Sequence, residues 1–212
     1  MRNPAASPPQ SQDASLGAAR TAAGAPRAAR STAAAVERLC TRIDRPLVLV
    51  GMMGAGKSTI GRKLAAMLEL PFADADDEIV TAARMSIPDI FEAFGETHFR
   101  DGERRVIARM LDGEARVIAT GGGAFAQAET RALILDRGIA IWLDSELETL
   151  LERVMRKDTR PLLRSGDPRE VLKRLLAERR PAYAQAPIRV VSDAGPIGET
   201  AGRIIEALDE WL

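Results

Sequence analysis

The 212-residue sequence has only one cysteine, Cys40, and only one histidine, His98. A single cysteine excludes an internal disulfide and any metal cluster built on cysteines. Lysine plus arginine equals aspartate plus glutamate at 30 each, so no net basic field favours nucleic acid or an anionic membrane. No apolar run approaches the roughly 20 residues that span a bilayer. These absences predict a soluble cytoplasmic protein that binds neither nucleic acid nor membrane.

The first 45 residues differ in composition from the rest of the chain. They carry seven arginines and three acidic side chains, a net charge of +4, and residues 1–35 hold almost no large apolar side chain. Such a segment buries too little surface to offset the entropy lost on ordering, which predicts disorder. The alternative is an organelle transit peptide. Residues 31–43 have the spacing of a helix that docks on the domain through four side chains: Val36, Leu39, Cys40 and Ile43.

From Pro46 onward, short apolar runs alternate with segments of helical periodicity. Strands are expected over residues 47–50, 71–74, 116–120, 139–143 and 188–192. This alternation is typical of an α/β fold with a central parallel sheet. We therefore predict a domain over 46–212 and an N-terminal extension over 1–45 that is disordered or partly helical. Ligands of such sheets bind beyond the carboxyl ends of the strands.

The segment after the first strand reads GMMGAGKST, from Gly51 to Thr59, and leads into a predicted helix. Glycines let backbone N–H groups approach and wrap a phosphate, and the helix directs its positive N-terminal dipole at the same anion. In this P-loop pattern Lys57 reaches the β- and γ-phosphates and Ser58 reaches Mg²⁺. The alternative is a glycine-rich turn without a ligand. The strand–loop–helix context favours a nucleoside triphosphate site.

Asp74 and Asp76 lie at the end of the second predicted strand. Residues two apart on a strand project to the same side, so both carboxylates are expected to face one site while Asp77 turns away. One would help to hold Mg²⁺, and the other would receive a hydrogen bond or a proton from a hydroxyl. The alternative is an acidic cap for the next helix.

Arg100 and Glu103 are three residues apart, which makes them neighbours on a helix face. A guanidinium held by a carboxylate is suited to bind a planar carboxylate substrate through two hydrogen bonds. A solvated ion pair is the alternative. Phe91 and Phe99 fit either the core or an apolar floor under a ring, and His98 is interpreted as non-catalytic.

Gly121, Gly122 and Gly123 follow the third predicted strand, where a P-loop protein normally carries an aspartate for the metal. Three glycines there allow backbone contact with a ligand. Asp74 is the natural replacement metal partner. Further along, five basic side chains crowd a helix end and a Pro- and Gly-bearing loop, as expected of either a solvated face or a lid that closes on phosphates: Arg153, Arg156, Lys157, Arg160 and Arg164.

Taken together, these motifs resemble those of the shikimate kinase family, which belongs to the nucleoside-monophosphate-kinase-like P-loop proteins. The matching features are GMMGAGKST, D-x-D at Asp74, IF at Ile90, GExxFRxxE from Gly95, GGG from Gly121, RPLL from Arg160 and RxPxY from Arg179. They occur in family order and span residues 46–212. The resemblance implies a three-layer P-loop kinase fold with a five-stranded parallel sheet, a mobile lid near 157–168 and substrate-binding helices near 77–111.

The resemblance also implies a role for each matching residue. ATP would be held by Gly54, Ala55, Gly56, Lys57, Ser58, Thr59, Arg153 and Arg160. Mg²⁺ would be held by Ser58 and Asp74. Shikimate would be bound by Asp76, Phe91, Phe99, Arg100, Gly122, Gly123 and Arg179. Catalysis would rest on Lys57, Asp76 and Arg160, with Asp76 facing the hydroxyl that is phosphorylated.

The resulting hypothesis is ATP-dependent phosphorylation of the 3-hydroxyl of shikimate by a monomeric enzyme of aromatic amino-acid biosynthesis. A gluconate or nucleoside-monophosphate kinase of the same group is the nearest rival, and a nucleotide-dependent switch is the rival from another class. A GTPase switch needs an N-K-x-D motif, and the sequence contains none.

Overall fold

The computed structural model describes residues 27–156 and 167–212, and its centre is a parallel sheet of five strands. The strands are β1 (Leu47–Val50), β2 (Phe72–Asp74), β3 (Val117–Ala119), β4 (Ile139–Asp144) and β5 (Ile188–Val191), in the order β2-β3-β1-β4-β5. Strand β1 pairs with β3 on one side and β4 on the other. Because β1, β3 and β4 are buried along their whole length, they appear in the sequence as continuous apolar runs. The predicted sheet is confirmed.

Helices cover the sheet, which confirms the predicted fold class. They are α1 (Arg27–Leu39), α2 (Lys57–Leu68), α3 (Ala75–Ala83), α4 (Ile87–Leu111), α5 (Ala128–Arg137), α6 (Leu147–Met155), α7 (Pro168–Tyr183) and α8 (Ile197–Trp211), with a short 3-10 helix at Ala124–Ala126. Helix α4 is kinked at Gly95, where φ is 77° and ψ is 174°. Only glycine adopts such a conformation readily, which explains why the helix is kinked at this residue.

The N-terminal helix differs from its prediction. Helix α1 begins at Arg27, inside the segment expected to be disordered, and ends at Leu39 rather than near Ile43. It packs on α8 and α2 through the buried side chains of Ala35 and Leu39. Cys40 is exposed, so its placement on the docking face was wrong. The division of the chain at Pro46 stays a prediction, and residues 1–26 lie outside the described part.

Two charged side chains strengthen the docking of α1. Arg38 forms an ion pair with Asp209 of α8, and Arg42 Nη1 lies 3.1 Å from Asp209 Oδ1. These contacts are largely exposed, so packing of Leu39 contributes more than the charges do. No helix of residues 27–156 and 167–212 is long and apolar enough to cross a membrane.

Candidate active site

The loop between β1 and α2 has the backbone of a phosphate cradle. Gly51, Gly54 and Gly56 have φ values of 137°, 84° and 90°, which side chains other than glycine rarely adopt. A Cβ atom on Gly54 would also lie 2.9 Å from Val154 of α6. The loop therefore needs glycine both for its conformation and for its close fit against α6.

Lys57 begins α2 and its side chain is buried. Its Nζ donates hydrogen bonds of 2.9 Å to the carbonyls of Gly51 and Met52, so the ammonium group crosses the loop. Ser58 is half-buried in the first turn of the helix and Thr59 is exposed. The N–H of Ala55 donates to Met52 O at 3.2 Å, so this amide is engaged within the loop itself.

Arg153 of α6 contacts the back of the same loop. Its Nη1 atom lies 3.4 Å from Gly54 O, 3.5 Å from Ala55 O and 3.3 Å from Ser192 Oγ, and Nη2 donates to Asp193 O. The guanidinium thus joins the phosphate loop to the end of β5. A role of Arg153 in binding ATP stays a prediction.

Asp74 and Asp76 are close together, but not for the reason given by strand periodicity. Helix α3 starts at Ala75, so Asp74 is its N-cap and Asp76 lies in its first turn. The Asp74 carboxylate accepts a hydrogen bond of 3.1 Å from Asp76 N. The strand-based prediction for Asp76 was therefore wrong, and the capping role weighed as an alternative is present for Asp74.

Arg100 is held by two acidic residues of its own helix. Its Nη1 lies 2.7 Å from Glu103 Oε2, and its Nη2 lies 3.1 Å from Glu96 Oε1. The Glu103 side chain is 1% exposed. Burial raises the pKa of the Glu103 carboxyl, an effect that Arg100 opposes and Asp76 reinforces. The predicted neighbour relation between Arg100 and Glu103 is confirmed, and the guanidinium is fixed in direction.

The glycine triplet after β3 is the point where the predicted substrate residues meet. A Cβ atom on Gly121 would lie 3.0 Å from Asp76 Oδ1 and 2.8 Å from Glu103 Oε1, and one on Gly123 would lie 2.7 Å from Arg100 Nη2. Arg179 Nη1 of α7 donates a hydrogen bond of 3.0 Å to Gly122 O. Asp76, Arg100 and Arg179 therefore surround one short segment, as the family resemblance implies for a single ligand.

Aromatic side chains lie beside this segment. The rings of Phe91 and Phe99 have centroids 4.5 Å apart, and the Arg100 guanidinium lies 5.1 Å from the Phe99 ring. Phe99 is buried and Phe91 is half-buried, so both lie partly in the core. His98 is exposed and packs against Phe94 with centroids 4.9 Å apart.

The donors available for a metal fit Mg²⁺ that is brought by a nucleotide. This ion is usually held by one or two carboxylates, phosphate oxygens and water. Ser58 at the start of α2 and Asp74 at the end of β2 offer oxygen ligands of that kind. Among the residues that the structure describes, no group of three or more His, Cys, Asp or Glu side chains is able to hold a metal alone. Arg160 and most of the predicted lid, 157–166, lie outside the described residues, while Asp167 caps α7 and Pro168 begins it.

Sequence reasoning assigned no role to Tyr183 or Ser192. Tyr183 is fully buried at the end of α7, and its hydroxyl donates to Gly122 O, the carbonyl that Arg179 also contacts. Burial raises the pKa of Tyr183 to about 12. Ser192 donates to Ala55 O at 2.9 Å. The RxPxY pattern contained the signal for Tyr183, whereas Ser192 follows a strand without any recognisable motif.

Comparisons with known proteins agree with this geometry. A protein-family model described as shikimate kinase matches residues 53–209. The shikimate kinase of Novosphingobium aromaticivorans is 58% identical over 189 residues, which cover 87% of this chain and 98% of that protein. The shikimate kinase of Rhodopseudomonas palustris is 53% identical over 169 residues, covering 80% of this chain and 83% of that one.

Solved structures give the same result. The shikimate kinase from Acinetobacter baumannii, solved in complex with shikimate, is similar with a TM-score of 0.76 and 37% identity, covering 82% of this chain and 96% of that one. The shikimate kinase from Aquifex aeolicus is similar with a TM-score of 0.69 and 36% identity, covering 77% and 96%. The chain therefore belongs to the shikimate kinase family.

Proposed function

We propose that this chain transfers the terminal phosphoryl group of ATP to the 3-hydroxyl of shikimate, giving ADP and shikimate 3-phosphate. The observation that carries the proposal is that the phosphate loop and the group formed by Asp76, Arg100 and Arg179 both lie at the carboxyl edge of one sheet. The glycine triplet joins them, because a Cβ atom on Gly122 would lie only 2.9 Å from Met53 N of the phosphate loop. A phosphoryl donor bound at the phosphate loop and a phosphoryl acceptor bound at Asp76, Arg100 and Arg179 would therefore be neighbours.

On the nucleotide side, the chain supplies backbone N–H groups, the dipole of α2 and the charge of Lys57. Phosphoryl transfer spreads negative charge over the phosphoryl oxygens, so catalysis depends mainly on positioning and on positive charge. Lys57 already lies across the loop through its bonds to Gly51 and Met52. Mg²⁺, when bound with the nucleotide, neutralises phosphate charge, and Ser58 and Asp74 would hold it.

On the substrate side, Arg100 and Arg179 would bind the carboxylate of shikimate, since guanidinium groups match carboxylates through paired hydrogen bonds. Asp76 would face the 3-hydroxyl, orient it and receive its proton as the oxygen bonds to phosphorus. Phe91 and Phe99 would provide the apolar side of the pocket, and Gly122 and Gly123 would contribute backbone contacts. Arg160 would act from the lid. A monomeric state and a cytoplasmic location stay predictions.

The direct test measures ADP release with ATP and Mg²⁺ in four conditions: no acceptor, shikimate, gluconate, and a nucleoside monophosphate. We expect ADP release to need shikimate, with the product carrying one phosphate on its 3-oxygen. Release that is equal without acceptor would indicate a nucleotide switch or hydrolase, and release driven by a rival acceptor would assign the chain to that other kinase.

Asp76→Asn is the variant that tests the acceptor side. It removes the proton acceptor, so we expect a fall in kcat of about 10²-fold or more while ADP still binds. Asp77→Asn is the matched control, because Asp77 is the next residue of α3, is exposed, and pairs with Arg62 at the long distance of 3.9 Å. Equal kcat values for the two variants would contradict the role given to Asp76.

A further inference from the structure

Ser192 connects the end of β5 to the phosphate loop. It is fully buried. Its Oγ donates a hydrogen bond of 2.9 Å to Ala55 O, and Arg153 Nη1 approaches the same Oγ atom at 3.3 Å. The Ser192 hydroxyl therefore makes two hydrogen bonds: it donates to Ala55 O of the loop and accepts from Arg153.

The bond to Ala55 fixes the direction of one peptide group. No cis peptide occurs among the described residues, and in a trans peptide the C=O of one residue and the N–H of the next point in opposite directions. When the Ala55 carbonyl is turned toward Ser192, the Gly56 N–H is turned away from Ser192. That N–H is one of the donors a phosphate would need.

Contacts within the loop hold Gly51, Met52 and the Ala55 N–H, whereas the Ala55 carbonyl is contacted from outside the loop. Gly54 and Gly56 are in left-handed conformations, with φ of 84° and 90°, and glycine in an open loop visits many other conformations. Fixing the peptide before the ligand arrives lowers the entropy lost on binding. We propose that Ser192 is a positioning residue that preforms the phosphate loop for the nucleotide, an inference that rests on the proposed function.

Ser145 provides a matched control. It is buried at the end of β4, and its Oγ donates a hydrogen bond of 2.9 Å to Ser192 O. It thus anchors the same stretch of chain, and this hydrogen bond goes to the end of β5 rather than to the phosphate loop. The Ser145→Ala variant therefore reports the effect of loosening the end of β5 alone. The Ser192→Ala variant also loses the hydrogen bond to Ala55 O of the phosphate loop.

The experiment uses the full chain with Ser192→Ala, Ser192→Cys and Ser145→Ala, and measures ADP binding by calorimetry together with steady-state kinetics. Loss of one net hydrogen bond predicts about threefold to tenfold weaker ADP binding for Ser192→Ala and a similar rise in KM for ATP, with KM for shikimate unchanged. Ser145→Ala should stay within about twofold of the natural protein. Ser192→Cys keeps the side-chain size but donates weakly, so it should resemble Ser192→Ala, and it replaces that variant if alanine prevents folding.

Three results would overturn the inference. They are unchanged ADP affinity in the Ser192 variants, wild-type affinity in Ser192→Cys, and equal losses in Ser192→Ala and Ser145→Ala. Failure of the unaltered chain to bind ADP would instead refute the proposed function.

Discussion

Replacing Gly123 by alanine is expected to displace the Arg100 guanidinium without changing any charge in the site. A Cβ atom built on Gly123 would lie 2.7 Å from Arg100 Nη2 and 3.0 Å from Cζ. Ordinary contacts of a Cβ atom begin near 3.4 Å, so the guanidinium must retreat. The Gly123 backbone has φ −106° and ψ −16°, which suits alanine, so the substitution adds no backbone strain.

The size of the effect follows from how Arg100 is held. The bond of 2.7 Å to Glu103 limits its freedom, so moving away from residue 123 misaligns the guanidinium with its ligand. A hydrogen bond involving a charged group contributes about 1.5–3 kcal/mol, and losing one to the shikimate carboxylate corresponds to roughly a tenfold to hundredfold rise in KM. Complete removal in Arg100→Ala sets the upper limit. The KM for ATP should stay within about twofold.

Gly102→Ala is the control for this substitution. Gly102 lies in α4, a Cβ atom there would have no neighbour within 4 Å, and alanine in place of a helical glycine stabilises by about 0.5–1 kcal/mol. Its kinetic constants should therefore equal those of the natural chain, with a slightly higher unfolding midpoint. A wild-type KM for shikimate in Gly123→Ala, or an equal rise in both KM values, would refute the clamp assigned to Arg100.

Two further predictions concern buried residues away from the transferred group. Tyr183 is the only tyrosine of the sequence, so tyrosinate absorbance reports on it alone. With a pKa of about 12, Tyr183 of the folded chain should stay largely protonated at about pH 11, whereas the same tyrosine should be mostly ionised when guanidinium unfolds the chain. The raised pKa contributes about 3 kcal/mol to the free energy of unfolding below about pH 10, and this contribution is lost as the pH rises to about 12. Identical titration curves of the folded and the unfolded chain would contradict the burial of Tyr183. Because Leu39 is buried, Leu39→Ala should lower the free energy of unfolding, measured in urea, by about 2–4 kcal/mol. Cys40→Ala changes the neighbouring, exposed position and should change that free energy by less than about 0.5 kcal/mol. Equal unfolding midpoints for the two variants would show that α1 does not stabilise the domain.

The sheet and the phosphate loop were predictable because local sequence determines them. Short apolar runs such as 47–50 and 139–143 indicate buried strands. The glycine spacing ahead of Lys57 is typical of a loop that follows a strand and precedes a helix. The break at Gly95 was also predictable, since this residue interrupts a long helical pattern and has φ of 77°. These features depend on neighbours in the chain, which the sequence shows directly.

Features that depend on distant contacts were not predictable in the same way. Helix α1 packs on α8 and pairs with Asp209, and because neither partner is close in sequence its bounds were not predictable. Asp76 lies on a helix because Asp74 caps α3 after a strand of only three residues. The role of Ser192 was not predictable, because its partner Ala55 is 137 residues away and no local sequence pattern joins the two.

The glycine triplet has a structural role besides the backbone contact with a ligand, which stays a prediction. Gly121, Gly122 and Gly123 were expected to clear space for a ligand, and none of them has a positive φ. Their missing side chains also make room for Asp76 and Glu103, for Met53 N and for Arg100. At Gly122 the obstructing atom is backbone, which is unable to swing aside as a side chain does. The close approach of Gly122 to the Met53 backbone therefore limits the distance between the phosphate loop and the group of Asp76, Arg100 and Arg179, as transfer between two molecules bound there would demand.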